Sequence, residues 1–142
     1  MSNYTPESSM EISSTIVPAA FTTDSTTVDG AGVDTRDAAW VQLIGQVGAS
    51  SAGTTLIKLQ ESDDNSTFTD CTSVTTGAVS TASRTYSYVA TRGAGLTKRY
   101  VRARIINAGF TGVRGALVQF APQKGAGRTP THEATVVVSG RN

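Results

Sequence analysis

A chain of 142 residues and 14.7 kDa fits one domain with an arm and is too short for two full domains. Twelve Lys and Arg against eleven Asp and Glu leave a formal charge of +1 and a pI near 7.9, so no global field draws the chain to nucleic acid or an anionic bilayer. Ser and Thr supply about a quarter of the residues and only 16% are charged, a profile that suits strands and turns better than helices.

From the N-terminus, residues 1–27 are polar and interrupted by Pro6 and Pro18, with a single apolar cluster at Ile12, Ile16, Val17, Ala19, Ala20 and Phe21. They are expected to form an extended arm ahead of a β-sandwich body at 28–142. About twenty extended residues reach roughly 65 Å, several times the radius of gyration, roughly 14 Å, of a compact chain this long. Such an arm can cross to a neighbouring subunit, and Ile12, Ile16, Val17 and Phe21 are its candidate partner-binding residues. A frayed tail or a first strand laid on the chain's own body together suit the same residues equally well. The segment has no basic n-region, and the sequence nowhere holds eighteen consecutive apolar residues. The expectation is no membrane span and a chain that stays in the compartment where it is made.

Residues 24–37, DSTTVDGAGVDTRD, are turn-rich, have only Val28 and Val33 to bury, and predict a loop. Strand character follows in the runs 38–47, 54–62, 67–72, 78–80, 84–89, 99–107, 113–120 and 135–139. Alternation with period two carries that assignment. In 98–107, Val101, Ala103 and Ile105 alternate with Tyr100, Arg102, Arg104 and Ile106, so a pleated strand buries the first set and turns two guanidinium groups the other way. By the same rule Val118 and Phe120 oppose Leu117 and Gln119, Ile57 and Leu59 oppose Lys58 and Gln60, and Val41, Leu43 and Val47 point inward. Asp63-Asp64-Asn65-Ser66 carry Asx-turn side chains, so 54–62 is expected to turn back into 67–72 as a hairpin. Residues 107–112, NAGFTG, predict a second hairpin into 113–120, and residues 121–130, APQKGAGRTP, a Gly/Pro loop before the last strand. The body has no helical apolar stripe and the chain no repeat of fixed period. The fold class is all-β, an antiparallel two-sheet sandwich or a jelly-roll-like barrel.

Catalysis needs convergent titratable groups, and few are present. His132 is the one histidine, in a Gly/Pro/Thr segment without a nucleophile motif. Cys71, the one cysteine, cannot form an intrachain disulfide and reads as a small buried apolar residue of a strand. The acidic residues Glu61, Asp63, Asp64 and Asp70 lack the spacing of a calcium loop and read as a solvated turn. Glycines near Arg92 and Arg128 do not make a P-loop. No enzyme activity and no catalytic, metal or cofactor site is expected. The one concentration of charge is Arg92, Lys98, Arg99, Arg102 and Arg104, with Arg114 on the presumed neighbouring strand. Of these, Arg99, Arg102, Arg104 and Arg114 are the second set of candidate partner-binding residues, with Arg102 and Arg104 forming a ladder able to meet carboxylates of another subunit or a phosphate backbone. A solvated outer sheet face accounts for the same arginines. Tyr86, Tyr88 and Tyr100 are too sparse for a base-stacking platform, so nucleic acid is not an expected partner.

Residues 58–72, KLQESDDNSTFTDCT, resemble a hairpin of small virion structural proteins of tailed bacteriophages, in which a strand ending in LQES meets an acidic turn, an aromatic residue and a second strand. The order of parts is similar as well: SSMEISSTIVPAA at 8–20, the step Asp34-Thr35-Arg36-Asp37, then RYVRARI at 99–105. The resemblance spans 12–120, departs from the pattern at Cys71 and places nothing after Phe120. It implies a capsid decoration, or cement, protein without cofactor, whose body sits on the shell while its arm crosses to a neighbour. Its partners would be the major capsid protein and other copies of itself, a trimer being favoured over a dimer. It would be located on the capsid surface of a virion assembled in the host cytoplasm. The alternative is a receptor- or carbohydrate-binding β-sandwich of the tail or fibre, with Trp40, Tyr86, Tyr88 and Tyr100 stacking on sugar rings.

Overall fold

The computed structural model describes residues 11–20, 26–80 and 83–120, and these form strands without a helix. In chain order they are β1 (Glu11–Ala20), β2 (Thr27–Asp29), β3 (Val33–Asp34), β4 (Trp40–Val47), β5 (Thr54–Ser62), β6 (Thr69–Thr75), β7 (Arg84–Arg92), β8 (Gly95–Leu96), β9 (Tyr100–Ala108) and β10 (Val113–Phe120). The first sheet has the order β1-β10-β4-β7-β8 and the second β2-β9-β5-β6, with β3 also on β9. Pairing is antiparallel throughout except for the short β7–β8 contact. Both sheets stay open, so the fold is a sandwich and the closed-barrel alternative falls.

The alternation read from sequence is the alternation that packs. Val41 and Leu43 of β4, Ile57 and Leu59 of β5, Val101 and Ala103 of β9, and Val118 and Phe120 of β10 are all 0% exposed and meet between the sheets. Each such Val, Leu, Ile or Phe stabilises the fold by about 1.5–3 kcal/mol relative to leaving it in water. The β5–β6 hairpin forms as expected. Asp64 organises its turn, its carboxylate accepting the Ser66 and Thr67 amides at 2.9 and 2.7 Å and the Ser62 hydroxyl at 2.8 Å. These bonds hold the Asp64 carboxyl at about 2.

Three expectations change. Residues 24–37 hold β2 and β3 where a loop was predicted. Val28 pairs with Ile105 and Val33 with Val101, and both pack on the core. Strands of two or three residues contain no alternation to read. Residues 107–112 are not a hairpin, because β9 and β10 belong to different sheets and the link crosses the sandwich. Phe110, 0% exposed, fills the corner between the layers. Its N–H donates to Asn107 Oδ1 at 3.1 Å, and Arg114 Nη1 donates to the carbonyls of Phe110 and Gly112 at 3.1 and 2.7 Å. Asn and Gly serve such a corner as well as a hairpin turn, so local composition does not separate the two. The run 78–80 is reduced to a single bridge between Thr55 and Val79. The expected loop 121–130 and strand 135–139 lie outside the described residues.

Residues 11–20 are β1, paired antiparallel with β10 in register from Glu11 opposite Phe120 to Ala20 opposite Val113. Two register shifts interrupt the pairing, between Ser13 and Ile16 and between Ile16 and Ala19. At the first, Ser14 adopts φ 51°, a left-handed conformation that costs a non-glycine residue about 1–2 kcal/mol. The bulge sends its hydroxyl through the sandwich, where Oγ accepts the Ala103 amide of β9 at 2.9 Å. Ser14 is fully buried, and the bond joins the first strand of one sheet to the central strand of the other. Gly30 makes room for it: a Cβ there would stand 2.5 Å from Ser14 Oγ. Over these residues the chain follows the alternative of a first strand on its own body.

Candidate functional site

The arginines of β9 stand on the outward face of the second sheet, as their spacing requires, and carboxylates of the same chain meet them there. Asp29 of β2 lies opposite Arg104 in register and accepts its Nε and Nη2 at 2.5 and 2.7 Å, a bidentate pair. The same carboxylate lies 3.0 Å from Arg102 Nη2. Arg102 also donates to Gln60 Oε1 at 3.0 and 2.8 Å and lies over the Phe68 ring, 4.2 Å from its centroid. Gln60 in turn donates to Asp70 at 2.7 Å, and Lys58 reaches Asp70 at 2.6 Å. At the end of β9, Arg99 holds Asp34 through Nε and Nη2 at 3.2 and 2.8 Å, with Arg36 on the same carboxylate at 2.8 Å.

Charge follows geometry. The Arg99 hydrogen bonds pull the Asp34 carboxyl down to about 2. Arg104 lowers that of Asp29, and Lys58 that of Asp70, each against a smaller opposing effect of burial. These carboxylates stay charged through the neutral range, and the guanidinium planes they hold are committed to the sheet. The arrangement clamps β2, β3, β9, β5 and β6 across their outer surface. An incoming anion would have to displace a bidentate aspartate.

The remaining candidate residues are dispersed. Arg114 is 0% exposed, on the inward side of β10, and burial pushes its pKa down. It closes the 107–112 corner and shares no surface with Arg99, Arg102 and Arg104. Ile16 is buried in the core, Ile12 is half-buried opposite Gln119, and Val17 is 73% exposed. Phe21 lies outside the described residues, as does His132. Cys71 is buried, and burial raises its thiol to about 12, which leaves it inert as a nucleophile. Among the acidic residues, Glu61 points inward and is a structural anchor. Its carboxylate accepts the Thr97 amide and hydroxyl at 2.8 and 2.6 Å and the Lys98 amide at 3.0 Å. Burial raises its pKa, but these bonds outweigh it and the carboxyl remains below its ordinary value. No group of three or more His, Cys, Asp or Glu able to hold a metal occurs among the described residues.

Sequence reasoning missed the opposite surface. The outward positions of β10, β4 and β7 are Val113, Gly115, Leu117 and Gln119, then Trp40, Gln42, Ile44 and Gln46, then Thr85, Ser87, Val89 and Thr91. None is charged. Leu117 pairs with Ile44, and Gln119 donates to Gln42, which donates to Ser87, an amide ladder across three strands. Val89 and Val113 are 58% and 48% exposed. A shallow depression of about 360 Å³ lies at one end between Pro18, Gln46, Val113 and Gly115, with Arg84 among the residues that line it. The signal was available: the parity that turns Val41, Leu43, Val118 and Phe120 inward turns this set outward.

No protein-family model matches the chain, and no curated protein sequence matches it. Among solved structures, the fold is similar to that of the phage PBSX exported protein XepA, with a TM-score of 0.54 and 20% identity over 93% of this chain. The chain spans 43% of that protein's length. A subunit of the disulfide-linked pili of Bacillus endospore appendages aligns with a TM-score of 0.38 and 12% identity, over 87% of this chain and 99% of that one. At these identities the likeness to XepA is one of fold, an all-β sandwich.

Proposed function

We propose that the chain is a non-enzymatic structural protein of a tailed-phage virion that binds and stabilises the outer surface of the capsid shell. The major capsid protein and further copies of the chain are its partners, and assembly takes place in the host cytoplasm. The observation that carries this reading is the fold likeness to a phage-encoded protein over 93% of the chain. Two features of the molecule support it. Four of its carboxylates are spent on structure, Glu61 on the Thr97–Lys98 backbone and Asp29, Asp34 and Asp70 on cations of their own sheet. Its N-terminal strand is pinned across both layers by Ser14, which suits a durable scaffold.

The test is to incubate purified coat particles lacking the chain with the full-length protein at micromolar concentration and image them by cryo-electron microscopy. Saturable density repeating across the shell is the expected result. Bare shells, or density confined to the tail, overturn the capsid reading, and the second outcome moves the role to receptor or glycan binding.

A further inference from the structure

We propose that the outward face of the first sheet binds the same face of a second copy of this chain, forming a twofold pair. The inference stands apart from the virion reading, since it concerns the purified chain in solution. Three observations select the occupant. The face carries no charge at the outward positions of β10, β4 and β7, so a copy of itself meets no like-charge repulsion there. A strongly charged partner, by contrast, would find only Arg84, at the end of the face, to pair with among the exposed side chains that line it. Gln42, Gln46 and Gln119 each bring a donor and an acceptor, so the amides can satisfy one another across a twofold axis. Ile44 and Leu117 sit side by side near the middle of the face with Val89 and Val113 exposed around them, an apolar centre within a polar surround.

Area sets the strength. The four long strands of this sheet, β1, β10, β4 and β7, lie about 4.8 Å apart and, with about seven residues at 3.3 Å each, project onto roughly 450 Å² per copy, or about 1,000 Å² in total once surface relief is included. That is near the lower bound for a specific interface, so the expected affinity is micromolar.

Sedimentation velocity of the full-length chain from about 1 to 200 µM tests this. The expected species at high concentration has twice the 14.7 kDa of one chain, a pair in place of the trimer that the sequence resemblance implies. Ile44→Lys weakens the pair at least tenfold while leaving the circular dichroism spectrum unchanged. Thr72→Lys, on β6 of the other sheet, leaves the pair intact. If the lysine variant misfolds, Gln46→Glu replaces it: pairing is lost at pH 7 and recovers below about pH 4, as the new carboxyl is protonated. Ile44→Cys, oxidised at high concentration, gives a disulfide-linked dimer, with buried Cys71 silent. A monomer at every concentration overturns the proposal, and this is the result expected if residues 121–142 of the same chain cover the face. A pair that survives both Ile44→Lys and Gln46→Glu overturns it as well.

Discussion

The two outward faces of the sandwich follow the same pleat and are filled in opposite ways. On the second sheet, Arg102, Arg104, Lys58, Asp29 and Asp70 interlock across four strands, and Arg99 with Asp34 extends the network to β3. On the first sheet, the corresponding positions of β10, β4 and β7 hold amides, hydroxyls and aliphatic side chains. The charged face is conspicuous in the sequence and is occupied by its own chain. The uncharged face is quiet in the sequence and, among the described residues, is left open. A cluster of arginines thus marks how a sheet with very short edge strands is held together, since β2 and β3 have only three and two residues with which to stay paired.

If the carboxylates are the fastenings of the second sheet, removing them should cost stability in proportion to how deeply each is embedded. Glu61→Ala is expected to have the largest effect, about 2–3 kcal/mol in urea unfolding, because it strands the buried-side amides of Thr97 and Lys98. A loss below about 0.5 kcal/mol would show that water replaces the carboxylate. Asp29→Ala comes next, at about 1–2 kcal/mol, since Arg102 and Arg104 lose a shared partner that is itself partly solvated. The difference from the parent chain should shrink in 1 M NaCl. An equal difference at both salt concentrations would assign the loss to packing.

Acid separates the faces more finely. The Asp34 carboxyl is held at about 2, below its ordinary 3.8, and those of Asp29 and Asp70 are displaced in the same direction. A carboxyl lowered on folding contributes fully above its unfolded value, and the contribution is lost as pH falls through the folded one. The urea midpoint should therefore fall between about pH 4 and pH 2, and Asp34→Asn should show a shallower fall over that window. Identical slopes would mean that the Arg99–Asp34 pair contributes nothing.

Much of this architecture was legible in the sequence, and the limits of that reading have physical causes. β4, β5, β9 and β10 were visible because each separates a buried face from a wet one over eight or nine residues. The partners of the arginines were not, because Asp29 and Asp34 lie 75 and 65 residues from the side chains they hold. No local pattern reports a contact made by folding. Arg114 is a different case. The parity that places Val118 and Phe120 inward places Arg114 inward too, and grouping it with the outward arginines followed its charge where its position was the better guide. Ser14 carried no signal at all, since its bulge exists to satisfy an amide in the opposite sheet.

The smallest expected effect completes the comparison. Gln42→Ala removes the centre of the ladder from Gln119 to Ser87, yet the groups left behind stay on an outward face where water reaches them. A neutral hydrogen bond whose partners can be resolvated contributes little net free energy, so the loss should be about 0.5 kcal/mol and the same at pH 3 and pH 7. That independence of pH is the informative part, because the ladder contains no titratable group. Should Gln42→Ala instead cost as much as Asp29→Ala, the amides would be fastenings of the first sheet in the way the ion pairs are of the second. A contact surface needs groups that can exchange an internal bond or water for a partner at little cost, and a weak ladder meets that requirement where a bidentate aspartate does not.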